Sequence, residues 1–196
     1  IAPYTRDRKI TVLVATKTQS VEDINYLISL GVDTIGENRV NELLEKFEGY
    51  DKSASLHFIG NKQKNKVKYI IDKVSMIHSL DSLSLAAEIE KQAAKHNLVM
   101  DVLVEINSGM EENKSGISPE DAAEFCEALG QFSHIHLCGF MTMAPKCEKN
   151  EDYRKYFCKT SQLCLDIWQK KLHNIGRPIL SMGMSDSFEV AIEEGA

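Results

Sequence analysis

Short apolar runs and amphipathic stretches alternate along the chain. Seven runs rich in β-branched and other apolar residues read as strands: Ile10 to Ala15, Thr34 to Gly36, Leu56 to Gly60, Val74 to Leu80, Met100 to Ile106, His134 to Met143 and Ile179 to Met182. Between them, apolar residues recur at helical spacing. After Ser20 they fall at Ile24, Leu27 and Ile28. Ser20 is the N-cap type of residue, Asp23 stands three residues on as a weak capping-box partner, and Gly31 sits where a helix ends with positive φ. The segment Ser118-Pro119-Glu120-Asp121 repeats the pattern, with a Ser cap, a first-turn Pro and acids set against the helix dipole. Its apolar face is Ala122, Phe125, Cys126 and Leu129, and Gly130 stops it. Two further helices are predicted over Ser82 to His96 and Glu151 to Leu172.

No segment offers a tight hairpin between two strands, so the strands are parallel and joined by helical crossovers. That is an α/β fold. An open doubly wound sheet that binds a nucleotide carries a Gly-rich turn after its first strand. Here the turn is Lys17-Thr18-Gln19-Ser20, which favours the (β/α)8 barrel. Near the end, Ser185 to Gly195 reads as a loop and a short helix with Phe188, Ala191 and Ile192 on one face. Gly31 and Gly130 each lead into a strand, whereas Gly195 is followed only by Ala196. The expectation is one barrel domain over residues 1–196, incomplete at both ends and lacking its eighth strand.

Composition narrows the class. The 196 residues are 43% hydrophobic and 27% charged, which is ordinary for a globular domain. The net charge of −6 argues against a nucleic-acid binder, and no apolar run is long enough to span a bilayer. Five cysteines with no C-x-x-C pair read as reduced thiols in the cytoplasm.

In a (β/α)8 barrel the chemistry sits at the C-terminal strand ends. Lys17 ends an otherwise apolar strand and is expected to point into a partly dry mouth, where a neutral amine attacks aldehydes. The alternative is an ion pair with Glu37 or Glu105. Asn38 either hydrogen-bonds a ligand or caps the helix that begins near Val40, with Glu37 or Arg39 fixing the loop. His57 alternates with Leu56 and Phe58, which turns it toward the interior as a ligand neighbour or as a satisfied core histidine. Met182-Gly183-Met184-Ser185-Asp186-Ser187 leads into a helix with small residues and free N–H groups, which suits a phosphate or a plain helix cap. Lys62, Lys64, Lys66, Lys68 and Lys73 read as a solvated face, and Lys114 as a second amine near the site or a surface residue. His134 and His136 share a strand face, but no third ligand is evident, so no metal site is expected.

Taken in order, these segments resemble a known family. Val14-Ala15-Thr16-Lys17-Thr18, Gly36-Glu37-Asn38-Arg39-Val40-Asn41-Glu42, His57-Phe58-Ile59-Gly60, Asn65-Lys66, Lys114-Ser115-Gly116, Gly139-Phe140-Met141-Thr142-Met143 and Leu180-Ser181-Met182-Gly183-Met184-Ser185 are similar to the pyridoxal phosphate homeostasis proteins. The resemblance runs from about residue 10 to 196 and is most specific in the Gly-Glu-Asn-Arg and Ser-Met-Gly-Met-Ser segments. It implies a barrel like the N-terminal domain of alanine racemase, with pyridoxal 5′-phosphate (PLP) held as a Schiff base on Lys17. Asn38, His57 and Ile59 would line the cofactor, and Met184 and Ser185 would lie at its phosphate. The family's first helix is largely missing, as is the Arg-x-Gly-Thr segment that completes its phosphate cup. Leu56 stands where an aromatic is usual, and Asn61-Lys62-Gln63 where His-Leu-Gln is common. The resemblance implies a monomeric cytoplasmic carrier serving PLP homeostasis, with apo PLP-dependent enzymes as partners and without nucleic acid or membrane. The alternative is a PLP-dependent amino-acid racemase.

Overall fold

The computed structural model describes residues 10–60, 64–169 and 178–196. Seven strands form one sheet in chain order, and every neighbouring pair is parallel. They are β1 (Val14–Ala15), β2 (Thr34–Glu37), β3 (Ser55–Phe58), β4 (Met76–Leu80), β5 (Met100–Ile106), β6 (Ile135–Thr142) and β7 (Ile179–Ser181). The helices are α1 (Val21–Ser29), α2 (Val40–Lys46), α3 (Val67–Ile70), α4 (Leu83–Lys95), α5 (Ala122–Leu129), α6 (Arg154–Gln169) and α7 (Phe188–Glu193).

One hydrogen bond shows that the sheet curls. His78 Nδ1 on β4 lies 3.0 Å from Ser181 Oγ on β7. In a flat sheet these strands would stand about 14 Å apart, three spacings of roughly 4.8 Å. The contact therefore requires the barrel curvature expected from the alternation. The two faces of the sheet carry separate cores. Ile77, Val102, Val104 and Phe140 pack outward with Ile24, Leu43, Ile89, Cys126 and Ile167 of the helices. Met76, Leu103, Cys138 and Met141 form a second cluster on the inner face.

Local signals explain several boundaries. Asp23 N donates to Ser20 Oγ at 3.1 Å, and that hydroxyl donates to Asp23 Oδ2 at 2.8 Å, which completes the cap of α1. Gly31 follows with φ +99°. Ser82 caps α4 by accepting from Leu85 N. Ser118 behaves differently. Its hydroxyl accepts from Asp121 N and donates to Asp121 Oδ2, closing a separate turn, so α5 begins only at Ala122. Asn150–Tyr153 is a 3-10 turn ahead of α6, so the helix predicted from Glu151 begins at Arg154. The predicted end of that helix, from residue 170 to 172, lies outside the described residues. β1 is shorter than the predicted Ile10 to Ala15, because its ladder to β2 covers only Val14↔Ile35 and Ala15↔Gly36. All five cysteines are free thiols, and no helix among the described residues is long and apolar enough to cross a membrane.

Candidate functional site

Parallel strands bring their C-terminal ends to one mouth of the barrel. Lys17 follows β1 by two residues there. It is exposed rather than drawn into a dry mouth, because the strand has already ended at Ala15. The residues on either side of it are anchored. Thr16 is buried, its N–H donates to Gly36 O at 3.0 Å, and its hydroxyl donates to Glu37 Oε1 at 2.7 Å. Thr18 N donates to the Glu42 carboxylate, and Thr18 is held at φ +65°, an uncommon conformation for a β-branched residue. Between these fixed points, the Lys17 amine has no hydrogen bond or ion pair among the described residues.

Glu37 explains why Lys17 is left unpaired. Its carboxylate is fully buried, and Oε1 accepts from Thr16 Oγ1, from Tyr50 OH at 2.8 Å and from Lys46 Nζ at 3.3 Å. Burial, reinforced by the adjacent Glu37 carboxylate, raises the Tyr50 phenol and keeps it a donor. Lys46 also reaches Thr16 O at 3.1 Å and Glu42 Oε1 at 2.6 Å. The ion pair that Lys17 was the alternative candidate for is thus made by Lys46. Glu105 accepts from Ser115 Oγ at 2.7 Å. Lys114 pairs with Glu111 at 2.5 Å on exposed side chains, which makes it a surface residue.

Asn38 follows β2 directly and does not cap α2. The N-cap is Arg39, without a side-chain bond. Asn38 Oδ1 is buried and accepts no hydrogen bond among the described residues. An orphaned buried acceptor costs about 1–3 kcal/mol unless a ligand satisfies it. Gly60, at the end of the β3 segment, touches the same residue. A Cβ there would lie 1.8 Å from Asn38 O, so the close approach requires glycine. Gly36 is similarly crowded: a Cβ on it would meet Leu13 Cδ2 at 2.6 Å and Ile59 Cδ1 at 3.0 Å.

His57 and Ile59 are half-buried. His57 faces the interior, where its Nδ1 lies 2.9 Å from His78 Nε2, and the chain continues to Ser181. Burial lowers the pKa of both imidazoles, that of His78 to about 3, so the pair is neutral at ordinary pH. His78 lies inside the run Val74 to Leu80 that the sequence marks as a strand, and the sequence assigned it no role. The signal available there was Ile77-His78-Ser79, whose pleat turns the histidine inward beside Met76. Met184 and Ser185 are exposed in the loop after β7. Gly183 turns that loop with φ +94°, and Met184 N donates to Ser187 Oγ at 3.1 Å. The backbone N–H groups of Ser185 and Asp186 donate to nothing among the described residues, which leaves them free for an anion.

These residues fit PLP. An unpaired amine, an orphaned buried acceptor and free N–H donors are the groups that its aldehyde, ring and phosphate would require. The model of the alanine racemase N-terminal domain family matches residues 12–194. A pyridoxal phosphate homeostasis protein of Aquifex aeolicus is 46% identical over 185 residues, covering 94% of this chain and 80% of its own. The Helicobacter pylori protein of the same name is 33% identical, covering 98% of this chain and 85% of its own. The structure of PipY from Synechococcus elongatus with PLP bound superposes with a TM-score of 0.85 at 23% identity, covering 100% of this chain and 92% of that one. The chain belongs to the alanine racemase N-terminal domain family, alongside the pyridoxal phosphate homeostasis proteins.

Proposed function

We propose that this protein binds PLP covalently through Lys17 and serves PLP homeostasis, holding the reactive aldehyde rather than turning over a substrate. The observation that carries the reading is the unpaired Lys17 amine, left free because Lys46 occupies Glu37. PLP, when bound, supplies an aldehyde that forms a C=N bond with a neutral amine as water leaves. Anchored Thr16 and Thr18 hold the lysine at the mouth. Asn38 Oδ1 accepts a hydrogen bond from the ligand, and His57 and Ile59 lie beside its ring. Met184 shapes the loop whose Ser185 hydroxyl and N–H groups hold the phosphate. The neutral His57–His78 pair would bring no positive charge to the bound cofactor. The relatives' shared name supports the homeostasis role, and the PLP bound in PipY supports the cofactor. On this reading the protein is a cytoplasmic monomer that passes PLP to apo enzymes.

The test is a titration of the protein with PLP, followed by visible absorbance. A saturable band is expected that is absent in Lys17→Ala. A band of equal strength in the variant overturns the lysine assignment. Incubation with L-alanine and chiral analysis tests the carrier role, which catalytic accumulation of D-alanine overturns.

A further inference from the structure

The opposite end of the barrel carries a second group of chemically able side chains. Asp101 is the second residue of β5 and His136 the second of β6, and the sheet register pairs them directly. Cys138, two residues on, lies on the same inner face, in the cluster with Met76, Leu103 and Met141. His136 Nδ1 is 2.7 Å from Asp101 Oδ1 and 3.4 Å from Cys138 Sγ. One donor atom from each of the three residues falls within 4.8 Å of the others. We propose that Asp101, His136 and Cys138 form a binding site for a borderline-soft divalent cation of the zinc type, at the N-terminal end of the barrel.

The donor set selects the metal. Thiolate, imidazole and carboxylate together are zinc ligands, whereas magnesium and calcium take oxygen. Zinc bonds of about 2.0–2.3 Å put tetrahedral ligand atoms roughly 3.3–3.6 Å apart. The Cys138–His136 separation already has that value. The His136–Asp101 pair opens by about half an ångström as its hydrogen bond is exchanged for two metal bonds.

The scaffold is rigid and shaped at this point. The β5–β6 register shifts between Val102↔Leu137 and Leu103↔Gly139, which leaves Cys138 as the extra residue of a bulge. A bulge leaves its extra residue out of the ladder and re-aims its side chain. A Cβ on Gly139 would lie 2.0 Å from Ile179 O, so the glycine fixes the bulge against β7. Charge also fits. Among the described residues no lysine or arginine lies within ion-pair distance of Asp101, whose one ion-pair contact is His136. On binding, the thiol proton leaves to solvent, and the Nδ1 proton that His136 gives to Asp101 is displaced by the ion, so that the ring keeps its proton on Nε2 and Nδ1 donates its lone pair. One thiolate and one carboxylate then balance the divalent charge. The side chains of Asp101 and His136 are 42% and 44% exposed, which opens a path for the ion and a fourth position for water.

The test is calorimetric titration of the full chain with Zn2+ alone, and optical titration with Co2+. One equivalent is expected to bind, with a sulfur-to-cobalt charge-transfer band and the intense visible bands of a tetrahedral ion. Cys138→Ser is expected to abolish the charge-transfer band. His136→Asn and Asp101→Asn are each expected to weaken binding by more than about 10-fold. Cys158→Ser, which removes an exposed thiol elsewhere, should leave all readouts unchanged. Lys17→Ala should bind the metal normally, so failure of the PLP reading and failure of this one are separable. No saturable binding to the folded wild-type chain, or unchanged binding in folded Cys138→Ser and His136→Asn, overturns the proposal.

Discussion

Replacing Lys46 by Met tests whether the Glu37 network positions the site. The Glu37 carboxylate is fully buried, and Lys46, with 13% of its side chain exposed, is its one cation among the described residues. At their 3.3 Å separation the gross attraction is about 5 kcal/mol with an effective dielectric constant near 20. Removing one partner of a buried pair typically costs about 3–5 kcal/mol. Thr16 Oγ1 and Tyr50 OH still donate to Oε1 in the variant, which places the expected loss at the low end, about 3 kcal/mol. For a domain of this size that corresponds to a melting temperature lower by roughly 6–12 °C. Urea unfolding of Lys46→Met, Glu37→Gln and the double variant measures it. Glutamine keeps an acceptor for Thr16 and Tyr50 and removes the stranded charge, so the double variant should be more stable than the sum of the two single losses by at least about 1 kcal/mol. PLP affinity should also fall in Lys46→Met, since Thr16 adjoins Lys17. Additive losses, or a Lys46→Met loss below about 1 kcal/mol, would show that Lys46 does not neutralise a buried Glu37 charge.

The buried histidines predict a pH dependence. Burial holds His57 and His78 below the ordinary imidazole value, His78 at about 3, so the unfolded chain binds more protons than the folded one below about pH 6.5. Stability from each imidazole should fall as pH drops from about 6.5 toward its folded value, by up to about 1.4 kcal/mol per unit. Urea unfolding between pH 7 and 5 should show a shallower slope in His78→Asn, and an unchanged slope would contradict the assignment. Gly60→Ala places a Cβ against Asn38 O. It should cost about 1–3 kcal/mol in thermal unfolding and weaken PLP binding more than Gly130→Ala, a helix-end change away from the site.

The alternation of strands and helices was legible because each crossover helix carries its own punctuation. Ser20 with Asp23 made the cap expected of it, and Ser82 caps the helix predicted to begin there. Ser118 carried the same residue types but spent its hydroxyl on Asp121 in a separate turn. A cap motif cannot tell one turn from the start of a helix. Lys17 and Asn38 stood out because a (β/α)8 barrel gathers its chemistry at the C-terminal ends of its strands. The identity of the cation on Glu37 could not be read, because Lys46 reaches it from the far end of α2. The Asp101–His136–Cys138 group was half visible. The period-2 pleat put His136 and Cys138 on one face, but Asp101 joins them only through the β5–β6 register, which the sequence does not encode locally. The His57–His78–Ser181 chain is less legible still, since its last link joins residues 103 apart in the chain.

Borohydride trapping reads the covalent link to Lys17 itself. The protein is loaded with PLP, reduced with sodium borohydride, digested and mapped by mass spectrometry. A stable phosphopyridoxyl adduct is expected on the peptide carrying Lys17, stoichiometric with the protein and missing from Lys17→Ala. An adduct on another lysine at comparable yield, or PLP bound with no reducible link, would contradict the Lys17 assignment.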